Sequence, residues 1–352
     1  ADGMVVAGEV GERLGLPVAC VPHSMGVLKM LRLGWDPDDQ AQLRDPEYHF
    51  DHREVFELAA LRAANFEIAN TPREPEILDE YYDLAFPHAV MPAGAAKPFF
   101  EAGAATPDPS VAASFGLEPG KYVLFWGRLS EAKFVEGVVQ VLGEARKLDP
   151  EAAGGVVAAI IGGSPDNPSG EEKEVEQAVA AEMERYGLGP EDVKRIESQT
   201  HATLAPLART ALAYVGMQRL EPFGMGAAEA MGAGLPTMIS SVAGITRWLQ
   251  DGVEVIFVDP DDPAAAGVRL VELIRDRGQW ERLSQVGRDK SLADFSWDGI
   301  AARQGRVMDA LAAGRDPRDP GEAPPADPDH FERRKGRAFH RTTPPWRGDI
   351  PR

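Results

Sequence analysis

Along this chain the apolar positions change their period repeatedly, and each change predicts an element. Residues 4–14 carry helical spacing, with Gly15 placed to end the helix, and residues 17–21 form a short apolar run suited to a buried parallel strand. Residues 58–64 read as helix, 66–69 as strand, and 71–82 as a second helix with Pro72 in its first turn. From residue 122 the alternation becomes regular: strand 122–126, helix 135–148, then strand 155–161 closed by Gly162 and Gly163. Further strands are predicted at 211–215, 236–239 and 255–258, and helices at 227–233, 244–249 and 263–277. Such alternation means a parallel sheet covered by helices on both faces. A final helix runs from Trp297 to about Leu311. Residues 314–352, rich in proline and charge, are expected to be extended or disordered, with Phe331, Phe339 and Trp346 available to pin parts of them.

This pattern divides the chain into a partial first domain at 1–115, a second domain at 116–296, a helix at 297–312 crossing back to the first, and the tail at 313–352. The Ala-, Gly- and Pro-rich stretch 101–120 reads as the linker. A doubly wound domain usually opens on a strand and a glycine-rich turn, whereas this chain opens on a helix already feeding a later strand. The first domain is therefore expected to be incomplete.

Composition narrows the chemistry. The 352 residues, 43% of them hydrophobic, suffice for two domains with real cores. A formal charge of -19 argues against sequence-independent nucleic-acid binding, which needs a net positive surface, and the short run Arg333, Arg334, Lys335, Arg337 does not change that. Any bound phosphate must be held by a local basic cluster. Cys20 is the only cysteine, so a disulfide framework and a cysteine zinc site are both excluded within the chain. No apolar run approaches a membrane span, and residues 1–15 lack the features of a signal peptide. A cytoplasmic protein without a membrane partner is expected.

The most informative stretch runs from Glu221 through Pro222, Phe223, Gly224 and Met225 to Glu229, Ala230 and Met231, ending at Gly234 and Pro236. It sets two carboxylates eight positions apart across a strand-to-helix turn, with Glu221 at the sheet mouth and Glu229 inside the helix. In an open parallel sheet ligands bind beyond the carboxyl ends of strands, and a glycine-containing turn offers N–H groups to an oxygen-rich ligand; Phe223, Gly224 and Met225 would supply them. Directly after strand 122–126 come Gly127, Arg128, Leu129 and Lys133, with two cations five apart that can both reach one diphosphate, Arg as a planar fork and Lys as a point charge. In the first domain His23, Ser24, Gly26 and Lys29 follow a predicted strand, and Arg53 stands four residues before Glu57.

Together these segments resemble the retaining GT-B glycosyltransferases of family four, nearest to the sucrose-phosphate and mannosylfructose-phosphate synthases. Glu221 to Glu229 is similar to the family's E-x7-E signature, Gly127 to Lys133 to its G-R-L-x-x-x-K, and His23 to Lys29 to the H-S-L-G-x-x-K of the synthases. Asn70 to Glu74, Val90 to Gly94 and Phe295 to Trp297 echo three further segments, so the resemblance runs from residue 1 to about 311. It implies an α/β GT-B fold, two doubly wound Rossmann-like domains facing a cleft. By it, Glu229 would hold the nucleotide ribose, Glu221 the transferred sugar, and Arg128 and Lys133 the departing diphosphate, with no metal or other cofactor required. His23 would lie near the reacting carbon and Lys29 on the acceptor side. Arg53 would bind an acceptor phosphate, or else form an i,i+4 ion pair with Glu57. The implied reaction moves a hexose, most simply glucose, from a nucleotide sugar (UDP- or ADP-glucose, or GDP-mannose) to a sugar phosphate such as fructose 6-phosphate, with retention.

Two departures set an alternative beside that reading. The family's opening strand and glycine-rich loop have no counterpart, so another polypeptide could supply them. The family's G-G-x-x-E appears as Ala243, Gly244, Ile245, Thr246, Arg247, which reverses a charge, and Gln218, Arg219 and Leu220 replace a small polar pair. The alternative is a catalytically impaired, nucleotide-binding or scaffold protein.

Overall fold

The structure is a computed structural model and describes residues 2–22, 25–164, 168–315 and 317. Its backbone divides into two compact units, residues 92–302, and residues 1–91 with the described residues from 303 onward.

In the first unit, α1 (Asp2–Leu14) stops at Gly15, which adopts φ 65°. There follow β1 (Ala19–Cys20), α2 (Gly26–Arg32), α3 (Gln40–Leu43), α4 (Phe50–Arg62), β2 (Phe66–Ala69), α5 (Arg73–Tyr82) and β3 (His88–Val90). The three strands form a parallel sheet in the order β1-β2-β3. The predicted strand at 17–21 shrinks to two residues because Pro17 and Pro22 carry no N–H for a ladder; the Val18 amide turns to the Asn65 side chain at 2.8 Å instead. Both faces of the sheet are covered. Cys20, Leu61, Ile77, Leu78 and Tyr82 pack on one side, and Phe66, Ile68 and Met91 meet Val307 and Leu311 on the other.

The second unit runs α6 (Lys97–Ala104), α7 (Pro109–Ser114), β4 (Tyr122–Trp126), α8 (Glu136–Leu148), α9 (Pro150–Ala153), β5 (Val157–Ile161), α10 (Gly170–Tyr186), β6 (Val193–Ile196), α11 (His201–Thr210), β7 (Ala213–Gly216), α12 (Met225–Gly232), β8 (Thr237–Ser240), β9 (Ile256–Val258), α13 (Pro263–Arg275) and α14 (Arg277–Asp294). The stretch 101–120, expected as a linker, thus contributes the end of α6 and all of α7; Phe99 and Ala112 anchor these helices in the core. The six strands are parallel in the order β6-β5-β4-β7-β8-β9. Numbered within the unit this is 3-2-1-4-5-6, the doubly wound order. The winding reverses between β4 and β7, so a crevice is expected beyond their carboxyl ends. Helix α15 (Trp297–Ala312) carries the chain from the second unit into the first, and its Val307 and Leu311 explain the apolar spacing seen there. The tail residues 318–352, with Phe331, Phe339 and Trp346, lie outside the described residues.

Candidate functional site

At the switch point, β4 ends in Trp126 and leads through Gly127 and Arg128 into a short 3-10 turn, Glu131–Lys133, while β7 leads through Gln218 to Glu221. The two loops are tied together: the Leu220 amide donates to the Ala132 carbonyl at 3.2 Å, and the Lys133 ammonium donates to the Glu221 carboxylate, both side chains being largely withdrawn from solvent. Arg128 is exposed and has no ion-pair partner among the described residues. Beyond Glu221 the turn into α12 rests on a second 3-10 turn, Gly244–Trp248. The Gly244 amide donates to the Glu221 carbonyl (2.9 Å) and the Ile245 amide to the Phe223 carbonyl (2.6 Å). Gly224 caps α12 at φ 119°, and a Cβ there would stand 3.0 Å from Ile245 Cγ2, so both backbone and space call for glycine. Among the described residues no backbone acceptor takes the amides of Phe223, Gly224 or Met225, which leaves them as the orphan donors of a helix start. The Phe223 ring itself is buried edge-on against Phe295 at 5.7 Å, whereas Met225 is exposed.

Glu229 sits one turn into α12 and is 4% exposed. Trp126 Nε1 donates to its Oε2 at 3.0 Å, the Ala96 amide donates to the same carboxylate, and His201 Nε2 faces Oε1 at 3.7 Å. Burial pushes this carboxyl above the usual range, while the Trp126 indole, the nearby His201 ring and the Ala96 amide pull it back. The Trp126 ring is fixed by Phe99, stacked at 5.7 Å, and by Tyr214, edge-on at 4.8 Å.

In the first unit, His23 and Ser24 lie outside the described residues. The Lys29 ammonium stands over the Tyr48 ring, 4.0 Å from its centroid. Arg53 Nε donates to Glu57 Oε1 at 2.7 Å, so the i,i+4 pair exists. Glu57 does more than pair: it is buried, accepts from the Gly26 amide through both oxygens (3.0 and 2.9 Å), and accepts from the Tyr82 hydroxyl at 2.7 Å. A Cβ on Gly26 would stand 3.3 Å from both Arg53 Cδ and Glu57 Oε2, a tight fit that favours glycine at the close approach of α2 to α4. Among the described residues one group offers metal-type ligands within 4.8 Å of one another, His49, Asp51 and His52 at the start of α4, where the helix dipole opposes a cation.

The sequence profile of the glycosyl transferases group 1 matches residues 112–290, half of the chain. Mannosylfructose-phosphate synthase of Agrobacterium fabrum is 30% identical over 315 residues, 87% of this chain and 67% of that protein. The chain belongs to this family. A D-inositol 3-phosphate glycosyltransferase of Nocardiopsis dassonvillei is 29% identical over 278 residues, 76% of this chain and 60% of that protein, so the chain spans between 60% and 67% of the length of these two relatives. Among solved structures, sucrose-phosphate synthase of Thermosynechococcus elongatus superposes with a TM-score of 0.67 at 24% identity, over 88% of this chain and 72% of that one. HepE of Anabaena, solved with UDP and glucose, superposes with a TM-score of 0.69 at 17% identity, over 88% of this chain and 76% of that one. The fold is that of the GT-B glycosyltransferases.

Within the second unit, sequence reading did not single out Trp126, His201 or Tyr214. A signal existed for Trp126, because a tryptophan at the end of a buried strand needs an acceptor for its N–H, and a glutamate in a small-residue helix needs a donor. Gln218 is 2% exposed; its Nε2 donates to the Tyr214 hydroxyl at 3.3 Å, and its Oε1 has no partner among the described residues. Arg219 stacks on Phe134, 3.9 Å from the ring centroid, and pairs with Asp261 at 3.2 Å. Arg247 is exposed on the turn that supports the Glu221 loop. Among the described residues no helix is long and apolar enough to cross a membrane.

Proposed function

We propose that this transferase moves a hexose from a nucleotide sugar to a phosphorylated sugar, with retention of the anomeric configuration. The observation that carries the donor half is the Lys133–Glu221 ion pair, which joins the loops after β4 and β7 at the switch point of a doubly wound sheet; Arg128 lies on the first loop, Glu229 on the helix after the second, and the amides of Phe223, Gly224 and Met225 have no backbone acceptor among the described residues. Support for the acceptor class comes from the likeness to mannosylfructose-phosphate synthase, and for the donor from the GT-B neighbour solved with UDP and glucose.

In this reading Glu229 takes the ribose hydroxyls, Glu221 with the amides of Phe223, Gly224 and Met225 grips the hexose, and Arg128 and Lys133 hold the diphosphate. Breaking the bond between the anomeric carbon and the phosphate oxygen builds oxocarbenium character on the sugar and negative charge on the diphosphate. Preorganised cations lower the barrier because they act where charge grows. The acceptor hydroxyl forms the new bond on the same face, and its proton passes to the departing phosphate oxygen. No protein nucleophile and no metal is assigned. By the resemblance His23 would act near the reacting carbon, and Lys29 and Arg53 on the acceptor side. Since Lys133 is held by Glu221, ligand binding exchanges one anionic partner for another.

The test is product formation from UDP-glucose, ADP-glucose or GDP-mannose with fructose 6-phosphate. Arg128→Ala or Lys133→Ala should lower kcat by about 10²-fold or more. Turnover unaffected by either change, or by Glu229→Ala, would remove the site assignment.

A further inference from the structure

Glu229 is held before any ligand arrives. Oε2 accepts from Trp126 Nε1 at 3.0 Å, the Ala96 amide also donates to the carboxylate, and Oε1 has His201 Nε2 at 3.7 Å, beyond hydrogen-bond length and on a half-exposed ring. The tryptophan cannot turn away. Phe99 lies nearly parallel to it, with an interplanar angle of 9°, and Tyr214 closes the other side at 70°. On α12 a Cβ at Gly226 would stand 3.6 Å from Trp126 Nε1 and 2.8 Å from the Tyr214 hydroxyl, so the helix approaches the indole closely without a side chain between them. Trp126 is also the residue immediately before Gly127 and Arg128, so one strand end carries both the anchor of the carboxylate and a candidate cation for the diphosphate.

We propose that Trp126 is a positioning residue for nucleotide recognition: by occupying Oε2 of Glu229 it presents Oε1 as the acceptor for the ribose hydroxyls, with His201 displaced as they arrive. The inference rests on the donor reading given above. It makes hydroxyl recognition depend on an indole N–H that never touches the ligand. An acceptor held by a fixed donor is aimed without reorganisation, whereas a free glutamate rotamer must be ordered when the ligand binds.

Trp126→Phe separates this role from packing, because phenylalanine keeps the stack on Phe99 and the edge contact with Tyr214 but has no N–H. Binding of UDP, ADP and GDP to the full chain is measured by calorimetry, and the tightest of them is then compared with its 2′,3′-dideoxy analogue. Trp126→Phe should weaken the ribonucleotide about tenfold or more, as loss of a bond to a charged group does, and change the dideoxy analogue by less than about twofold. In a Glu229→Gln background the same change should have little further effect. Equal weakening of both nucleotides, or none, overturns the positioning role while the donor reading stands. Failure of the unaltered chain to bind any of the three overturns the donor reading and this inference with it.

Discussion

At the scale of single residues, the least comfortable group is Glu67. It pairs in register with Cys20 across β1 and β2, is 1% exposed, and neither carboxylate oxygen has a hydrogen-bond partner among the described residues. Burial and the neighbouring Glu74 push its pKa up to about 8. Glu74 is raised to about 7 by burial, despite bonds from Asn70, and the Cys20 thiol to about 12. Both glutamates therefore bind protons more tightly in the folded chain than in the unfolded one. Their raised values stabilise the fold at low pH, and that advantage is lost as pH rises from the unfolded carboxyl value through about 7 and 8. The urea midpoint should fall between pH 5 and pH 9, and Glu67→Gln should remove a large part of the fall, on the order of 2–4 kcal/mol. Equal pH dependence of the two proteins would contradict this. In the sequence, Phe66 to Ala69 reads correctly as a strand, yet alternation alone would turn Glu67 toward water. The burial follows from helices covering both faces of the sheet, which a local pattern does not contain.

Elements are held at their starts. The beginning of α2 is fixed by Glu57 from α4, whose carboxylate satisfies the Gly26 amide, the Tyr82 hydroxyl and Arg53 together. Glu57→Ala should destabilise the protein by about 3 kcal/mol in urea unfolding, because it strips several buried donors of one acceptor. The beginning of α12 is fixed by Gly224. Gly224→Ala should cost about 1–3 kcal/mol from its left-handed backbone alone, and should weaken nucleotide binding further by moving the Glu221 loop off the Gly244–Trp248 turn. Nucleotide affinity unchanged by Gly224→Ala would show that the turn is not part of the site. The spacing of Arg53 and Glu57 was legible as either a ligand set or an ion pair. Only the arrival of Gly26 and Tyr82 from distant positions shows that Glu57 is a staple, and their contacts are 31 and 25 residues away in the chain.

For the whole molecule, the candidate donor groups all belong to the unit of residues 92–302. Hydrogen exchange with and without saturating nucleotide should show protection gained at 122–134, 216–232 and 240–249, and no change in peptides from β2 and β3. Protection confined to the first unit would contradict the donor assignment. The acidic chain, with a formal charge of -19, nevertheless gathers Arg128 and Lys133 at one strand end, so phosphate attraction there is local rather than a property of the surface.

Period located five of the six strands of the second unit and missed β6 (Val193–Ile196): strand 122–126 matches β4 residue for residue, Arg128 and Lys133 follow it, and Glu221 and Glu229 follow β7. Those positions were legible because they depend on short-range facts, namely which way a strand ends, where a glycine turn falls and which charges follow. The partners of those residues were decided by tertiary structure. Lys133 meets Glu221 across 88 positions, and Trp126 meets Glu229 across 103. Such contacts arise when β4 and β7 become neighbours, and strand order is set by the burial of whole helices and sheet faces, not by the residues at the site.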